Sequence, residues 1–147
     1  MLNLLALFLL FAADPFYIGK WKVDSAVTAP WSKPEWPPNL PEKKMLVGTT
    51  VIFSAREIQG TRQFACKGPH YKVVDYPADM LFQGMFGEMR EKDHSVDPDK
   101  VAATLGFRGK LWKTLETGCG NELDFHFVDD NTAEFGLNNL IYTLKKQ

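Results

Sequence analysis

Residues 123–144, LDFHFVDDNTAEFGLNNLIYTL, constrain the fold more than any other part of the chain. Leu123, Phe125 and Phe127 alternate with residues of other character, which is the period-two pattern of a strand with one buried face. Asn138-Asn139 can form a two-residue turn, because asparagine tolerates the positive φ angles that such turns require. The turn sets the apolar residues opposite one another on one face: Leu137 with Leu140, Phe135 with Tyr142, and Ala133 with Leu144.

The turn before this hairpin must preserve the same facing, since a slip of one residue moves every side chain to the other side of the sheet. A three-residue loop at 129–131 meets this condition by setting Phe125 opposite Phe135. It also sets His126 opposite Glu134 on the outward face. We therefore predict a three-stranded antiparallel meander with one apolar face and an exposed His126–Glu134 pair.

Further short strands precede the meander. Residues 47–67 predict a hairpin with its turn at Gln59-Gly60, and residues 111–119 predict a strand that places Leu115 beside Phe125. The total is seven or eight strands with a helical insertion at residues 79–105. A sheet of that width curls, and closure removes its edges. The sequence thus predicts a mainly β fold, an antiparallel up-and-down β-barrel with a short helical insertion.

The helical insertion has two parts. In the first part, apolar residues recur with helical spacing around Met85 and Phe86, although Gly84 weakens the helix. The second part begins at the N-cap Asp97, which precedes a proline, and ends at Gly106. Methionines adapt to irregular ligands, and a segment with glycines can move. The first part is therefore either a lid over a ligand or part of the core.

Residues 29–44, APWSKPEWPPNLPEKK, hold five of the nine prolines and predict an ordered, extended loop. Trp31 and Trp36 lie inside this loop. Because exposure of tryptophan to water is unfavourable, we expect the loop to fold back over an apolar surface. It either plugs one end of the core or forms the rim of a ligand site.

The first thirteen residues, MLNLLALFLLFAA, form an apolar run that ends in small residues. The run is too short to span a bilayer, and it has the length of the hydrophobic region of a signal peptide. We predict a signal peptide at 1–13, a single mature domain at 14–147, and export to the periplasm or the medium. A buried N-terminal strand or helix is the alternative.

The chain has two cysteines, Cys66 and Cys119, and each ends a strand-like segment. An even number of cysteines in an exported protein favours a disulfide. The alternative is that both side chains are small buried hydrophobic groups.

Gly19-Lys20-Trp21 lies shortly after the predicted signal peptide, and a long loop and a series of hairpins follow it. This arrangement resembles the lipocalins and the wider calycin barrels. The resemblance implies that Gly19 and Trp21 have a structural role. It also implies that Trp21 packs across the closed end of a barrel, under Lys145 or Lys146 of the last strand.

Several classes of function are disfavoured by the sequence. The net charge is −1 and its signs are interspersed, so nucleic-acid binding is not expected. We find no nucleophile elbow, phosphate loop or pair of catalytic carboxylates, and no spacing that demands a metal. No catalytic residue is predicted, and an enzyme is the third hypothesis. No stable membrane insertion is expected once the signal peptide is removed.

The leading hypothesis is an exported protein that binds a small, largely apolar molecule in or at the mouth of the barrel. A cofactor is not identified by the sequence, and long-chain acids, quinones or haem-like molecules would all suit the site. The alternative is an interaction or inhibitor protein that presents the tryptophan-rich loop to a protein partner. The expected ligand-binding residues are Phe53, Phe125, Phe135 and Tyr142 around the cavity, Met85 and Phe86 over its mouth, and Trp31 and Trp36 at its rim.

Overall fold

A computed structural model describes residues 13–147, so the predicted signal peptide lies outside the described residues except for Ala13. The described chain is mainly β, as predicted. The strands are β1 Gly19–Thr28, β2 Thr50–Phe53, β3 Glu57–Gln59, β4 Cys66–Lys67, β5 Lys72–Tyr76, β6 Trp112–Glu116, β7 Asp124–Asp129, β8 Thr132–Leu137 and β9 Leu140–Lys146. The helices are α1 Leu40–Leu46, α2 Leu81–Lys92 and α3 Pro98–Thr104, with a 3-10 turn at Ala78–Met80. The prediction of an extended loop over residues 29–44 is wrong for its last residues, because α1 begins at Leu40 with a proline in its first turn, where proline is tolerated.

All nine strands form one antiparallel sheet in the order β4-β3-β2-β1-β9-β8-β7-β6-β5. The sheet is curled into a half-barrel, in which β1 and β9 are neighbours at the centre. The described residues contain nine strands, whereas the sequence predicted seven or eight. Strands β4 and β5 are the two edges of the sheet, so the hydrogen-bonded ladder does not close as the sequence predicted.

The C-terminal meander is confirmed. Phe135 lies opposite Tyr142 and Leu137 opposite Leu140 across a turn in which Asn138 and Asn139 have φ angles of 48° and 62°. The predicted three-residue loop is wrong in detail, because the register shifts between Phe127 and Asp129. This bulge supplies the extra residue that a shorter turn lacks, so the predicted facing is preserved.

The predicted turn at Gln59-Gly60 is wrong, since β2 ends at Phe53 and pairs with β3 through Phe53 and Ile58. The chain turns at Ser54 because the Ser54 hydroxyl accepts the Glu57 N–H at 3.3 Å and donates to the Glu57 carbonyl at 2.9 Å. Serine side chains favour turns by such local bonds. A turn at Gln59-Gly60 would set Phe53 opposite Cys66, but the residue that lies there is Ile58.

The concave face of the sheet holds a tightly packed aromatic core. Phe53 meets Phe125 at 5.0 Å between ring centroids, Phe125 meets Phe135 at 5.5 Å, and Phe135 stacks on Tyr142 at 5.0 Å. Trp21 is fully buried in the same core, and the Nζ of Lys146 lies 5.7 Å from the centroid of its ring. A basic residue of the last strand therefore covers Trp21, as the resemblance implied. The relationship to the lipocalins stays a prediction.

A second apolar cluster lies on the opposite, convex face. Ile141 and Trp112 belong to this cluster, and they alternate along their strands with residues of the first core. Helix α2 contributes Phe82 and Phe86, which are fully buried. The part of the convex face under α2 is therefore covered, whereas Lys20 and Lys22 of β1 stay exposed on the same face.

This cover corrects the prediction for His126 and Glu134. The two residues lie opposite each other as predicted, but both are buried, with 1% and 6% of their surface exposed. The period-two pattern gave the correct side of the sheet, but it does not indicate what packs on that side.

The predicted disulfide is confirmed between Cys66 in β4 and Cys119 after β6, with 6.1 Å between their Cα atoms. The Nδ2 of Asn121 also donates to the Gln63 carbonyl at 3.0 Å. These two links join the segments at opposite ends of the strand order. Covalent and polar contacts therefore hold the curled sheet together where strand pairing does not.

Candidate functional site

A groove with a volume of about 390 Å³ lies on the convex side of the molecule, between the tryptophan-rich loop and helix α2. Its apolar surface comes from both walls, and charged side chains stand at the margin. The lining residues are Pro30, Trp31, Ser32, Lys33 and Trp36 of the loop, Met85, Glu88, Met89 and Lys92 of α2, and Asp93, Val96 and Asn139. A groove of this size and composition matches the sites that hold small ligands.

The loop wall is fixed by the turn between β8 and β9. The Nε1–H of Trp31 donates to the side-chain oxygen of Asn139 at 3.1 Å. The Nδ2 of Asn139 donates to the backbone carbonyl of Trp36 at 2.9 Å. The Ser32 hydroxyl donates to that same carbonyl at 3.1 Å. An extended, proline-rich segment thus gains a defined shape from side-chain hydrogen bonds and from the sheet beneath it.

The α2 wall begins with an unusual backbone. Phe82, Gln83 and Gly84 are consecutive residues in the left-handed region, with φ angles of 52°, 57° and 76°. Only glycine adopts this region without a steric cost, so surrounding contacts must hold the other two residues. The ring of Phe82 is fully buried, and the backbone N–H of Phe82 donates to the Nε2 of His126 at 3.0 Å. This turn orients the remainder of α2, from which Met85 and Met89 face the groove.

The charges at the margin are largely neutralised by one another. Glu88 and Lys92 form an ion pair at 2.6 Å, and these two residues are one helical turn apart. The hydrogen bond and charge of Lys92 lower the pKa of Glu88, and the charge of Lys33 lowers it further. Ser95 lowers the pKa of Asp93 by donating to it from its hydroxyl and its backbone N–H. The margin therefore carries charged side chains of both signs, and neither sign dominates.

Three polar side chains lie side by side in a row on the convex face, beneath the second cluster: Thr114 of β6, His126 of β7 and Glu134 of β8. The Nδ1 of His126 lies 2.8 Å from the Thr114 hydroxyl, and burial lowers the pKa of this histidine to about 3. Because Nε2 accepts the Phe82 N–H, the neutral ring carries its proton on Nδ1. Both nitrogens thus have partners within the fold, which suits a structural role rather than proton transfer to a substrate.

Two carboxyl groups in or beside this row have raised pKa values. Burial, with the charge of Glu116 on the neighbouring strand, raises the pKa of Asp124 to about 6. Burial raises the pKa of Glu134 to about 8, although Lys145 and Thr143 favour its carboxylate. Among residues 13–147, no group of three or more histidine, cysteine, aspartate or glutamate side chains could hold a metal ion.

No known relative assigns a function to this groove. No family model matches the chain, and neither a curated protein nor a solved structure matches it. In the described part of the chain, no helix has the length and apolar character needed to cross a membrane. The interpretation of the groove therefore depends on its own contacts.

The predicted ligand-binding residues divide into two groups. Trp31, Trp36 and Met85 line the groove, and Phe86 lies beneath it, with its ring centroid 6.0 Å from that of Trp31. The other group, Phe53, Phe125, Phe135 and Tyr142, fills the concave core on the opposite face of the sheet. The two groups do not form a single site, because the sheet lies between them.

Sequence reasoning did not identify several residues of the groove, chiefly Lys33, Val96 and Asn139. Asn139 was recognised only as a turn residue. Its bonds to Trp31 and to the Trp36 carbonyl cross more than 100 positions of sequence, and no local pattern indicates them. The methionine at position 89 was on the predicted apolar helical face, and its spacing from Met85 was the available signal.

Proposed function

We propose that this protein is exported and binds a small, largely apolar molecule in the groove between the tryptophan-rich loop and helix α2. The groove itself carries this proposal, since its volume of about 390 Å³ falls within the usual range for ligand sites of about 300–1,000 Å³. Its walls present two indole rings and two thioethers, which are large and polarisable surfaces.

The walls of the groove rest on rigid elements, which favours binding without a large loss of entropy. The Trp31 ring packs on Phe82 and Phe86, at centroid distances of 5.8 and 6.0 Å. Both phenylalanines are fully buried in the second cluster. A ligand in the groove would thus meet surfaces that are largely preformed.

Thermal melting and tryptophan fluorescence with a panel of uncharged and acidic apolar molecules test this proposal. A molecule that binds the folded state raises the melting temperature by mass action, and contact with the groove changes the emission of Trp31 or Trp36. If no member of a broad panel alters either signal, ligand binding in this groove is refuted.

A pair of methionine variants locates the site. Met85→Asp places a charge in the groove and should abolish the shift in melting temperature, whereas Met45→Asp adds the same charge at an exposed position of α1 outside the groove. Equal responses of the two variants would show that the ligand binds elsewhere. Should Met85→Asp fail to fold, Trp36→Ala provides the test, because that side chain is 66% exposed and contributes little to the core.

The second candidate is an exported interaction protein that presents the tryptophan-rich loop to a protein partner. The exposure of Trp36, and of Leu40 and Met45 in α1, favours this candidate, because tryptophan and methionine are enriched at protein interfaces. The well-packed concave core also favours it over a ligand inside the sheet. This candidate becomes the better one if the panel leaves melting and fluorescence unchanged.

Export depends on the predicted signal peptide, and the Cys66–Cys119 disulfide supports it, since such bonds persist in oxidising compartments. Mass spectrometry of the protein recovered from the periplasm or medium should give a chain that begins at Asp14. A full-length chain retained in the cytoplasm, with both cysteines reduced, would refute export.

A further inference from the structure

The two tryptophans of the groove offer separate ring surfaces. The Trp31 ring contacts Phe82 and Phe86, whereas the Trp36 ring contacts no other aromatic ring of the described residues. Both indoles nevertheless border the same groove. Aromatic rings attract other flat rings through offset stacking and edge-to-face contacts. Two indoles that share a groove without touching each other can therefore both contact one flat ligand.

The charges of the groove argue against an ionic ligand. Its lining holds two lysines, Lys33 and Lys92, and two acidic residues, Glu88 and Asp93, so the lining charge sums to zero. The acidic groups are already engaged, Glu88 by Lys92 and Asp93 by Ser95. An anion in the groove would be repelled by Glu88 and Asp93, and a cation would be repelled by the two lysines. A ligand of either charge therefore gains no net electrostatic attraction.

Both polar atoms of the Asn139 side chain bond to the loop. Its oxygen accepts the Nε1–H of Trp31 at 3.1 Å, and its nitrogen donates to the Trp36 backbone carbonyl at 2.9 Å. One amide thus holds the Trp31 indole and the backbone at Trp36 against the sheet. Asn139 also has a φ of 62°, a conformation that asparagine tolerates better than most residues.

We infer that the groove takes an uncharged molecule with a flat ring system, which contacts the indoles of both Trp31 and Trp36, and that Asn139 is the positioning residue that sets these indoles. This inference rests on the proposed function and names its ligand class. We assign Asn139 to positioning because the bonds that its amide makes run to the Trp31 indole and to the Trp36 backbone.

A matched pair of fluorescent probes tests the ligand class. N-phenyl-1-naphthylamine is uncharged, and 1-anilinonaphthalene-8-sulfonate has the same rings with one added sulfonate. We expect the uncharged probe to bind at least about tenfold more tightly, and Trp36→Ala to weaken its binding by a similar factor. Equal affinity for the two probes would overturn the inference that the ligand is uncharged. Affinity unaffected by Trp36→Ala would overturn the stacking role.

Decanol, an uncharged flexible chain, separates failure of this inference from failure of the proposed function. Should decanol raise the melting temperature while the uncharged ring probe does not bind, the flat-ring class is wrong and apolar binding stands. Should neither molecule bind, the flat-ring class fails, and the proposed function fails with it if the whole panel of apolar molecules is also without effect. Binding of the ring probe with weaker or no binding of decanol supports the flat-ring class.

Two glycine variants of the same turn test the role of Asn139. Asn139→Gly keeps the positive φ and removes the amide, and we expect affinity for the uncharged probe to fall about tenfold. Asn138→Gly is the control, since this neighbour also has a positive φ, but its side chain donates to Glu42 of α1 and to neither tryptophan residue. Its affinity should stay within about twofold of the wild type. Equal losses in both variants, or none in Asn139→Gly, would overturn the positioning role.

Asn139→Asp adds a graded test that does not depend on the glycine variants. The aspartate keeps an acceptor for the Trp31 N–H but loses the donor to the Trp36 carbonyl. We expect an affinity between those of the wild type and Asn139→Gly. The emission maximum of the unliganded protein should shift in the same order, because the indoles lose their fixed surroundings. An Asn139→Asp variant that matches the wild type in both measurements would contradict the inference.

Discussion

Glu134 provides the most direct test of how the convex face is covered. Its side chain is 94% buried, because only 6% of its surface is exposed, and its Oε2 has no hydrogen-bond partner among the described residues. Burial raises its pKa from 4.5 to about 8, so the folded protein holds this carboxyl protonated at neutral pH. Replacement by glutamine keeps the shape of the side chain and removes the ionisation.

The magnitude follows from proton linkage. Between pH 4.5 and pH 8 the unfolded chain has lost the Glu134 proton while the folded chain keeps it, so stability falls as the pH rises through this window. Each pH unit corresponds to about 1.4 kcal/mol, which gives a total of about 4 to 5 kcal/mol as an upper limit. Below pH 4.5 the carboxyl is neutral in both states, and the contribution of its protonated form is fully present.

Denaturant unfolding of the wild type and of Glu134→Gln at pH 5, 6, 7 and 8 measures this effect. The free energy of unfolding of the wild type should decline relative to that of the variant as the pH rises. Glu35→Gln is the control for the substitution itself, because Glu35 is exposed. If the two curves for the wild type and Glu134→Gln run parallel across this range, the argument for a buried, protonated Glu134 is wrong.

Three further outcomes are expected. Phe135→Ala should lower the free energy of unfolding by about 3–5 kcal/mol, because the ring is fully buried and stacks on Tyr142; a denaturant melt with a loss below about 1 kcal/mol would contradict this. The disulfide spans a sequence separation of 53, and its reduction should lower the free energy of unfolding by about 4 kcal/mol if the bond acts through the entropy of the unfolded chain. Free thiols detected by alkylation of the non-reduced protein would disprove the bond. His126→Ala should cost about 1–3 kcal/mol in the same melts, because it leaves the backbone N–H of Phe82 without an acceptor. His94→Ala, at an exposed position, should have little effect, and similar losses in the two variants would refute the anchoring role of His126.

The elements that the sequence predicted well are those governed by local rules. Helix α3 begins with Asp97 as its N-cap, whose carboxylate accepts the Asp99 N–H at 3.0 Å, and Gly106 follows it with a φ of 96°. The β8–β9 hairpin is similar, since its register depends on a two-residue turn and on alternation within a few positions. In both cases the determining contacts lie within about ten residues.

The β2–β3 turn was predicted wrongly for a related reason. Two local signals compete in this segment, Gln59-Gly60 and Ser54. The chain turns at Ser54, where hydroxyl bonds to Glu57 satisfy the backbone. Residue preferences rank such signals weakly, and the pairing of Ile58 with both Phe53 and Cys66 is a contact between strands that no single turn motif determines.

By itself, the sequence determined the antiparallel meander and the side of the sheet on which each of its residues lies. The two-residue turn sets the antiparallel pairing, and period-two alternation sets the side, because a side chain on a strand must point to one face or the other. The tertiary structure decided what each face meets. The helical insertion packs over His126 on the convex face, and the groove formed outside the sheet, between α2 and the tryptophan-rich loop. That outcome depends on the packing of α2 and the tryptophan-rich loop against strands distant in sequence, and alternation along one strand contains no information about such contacts.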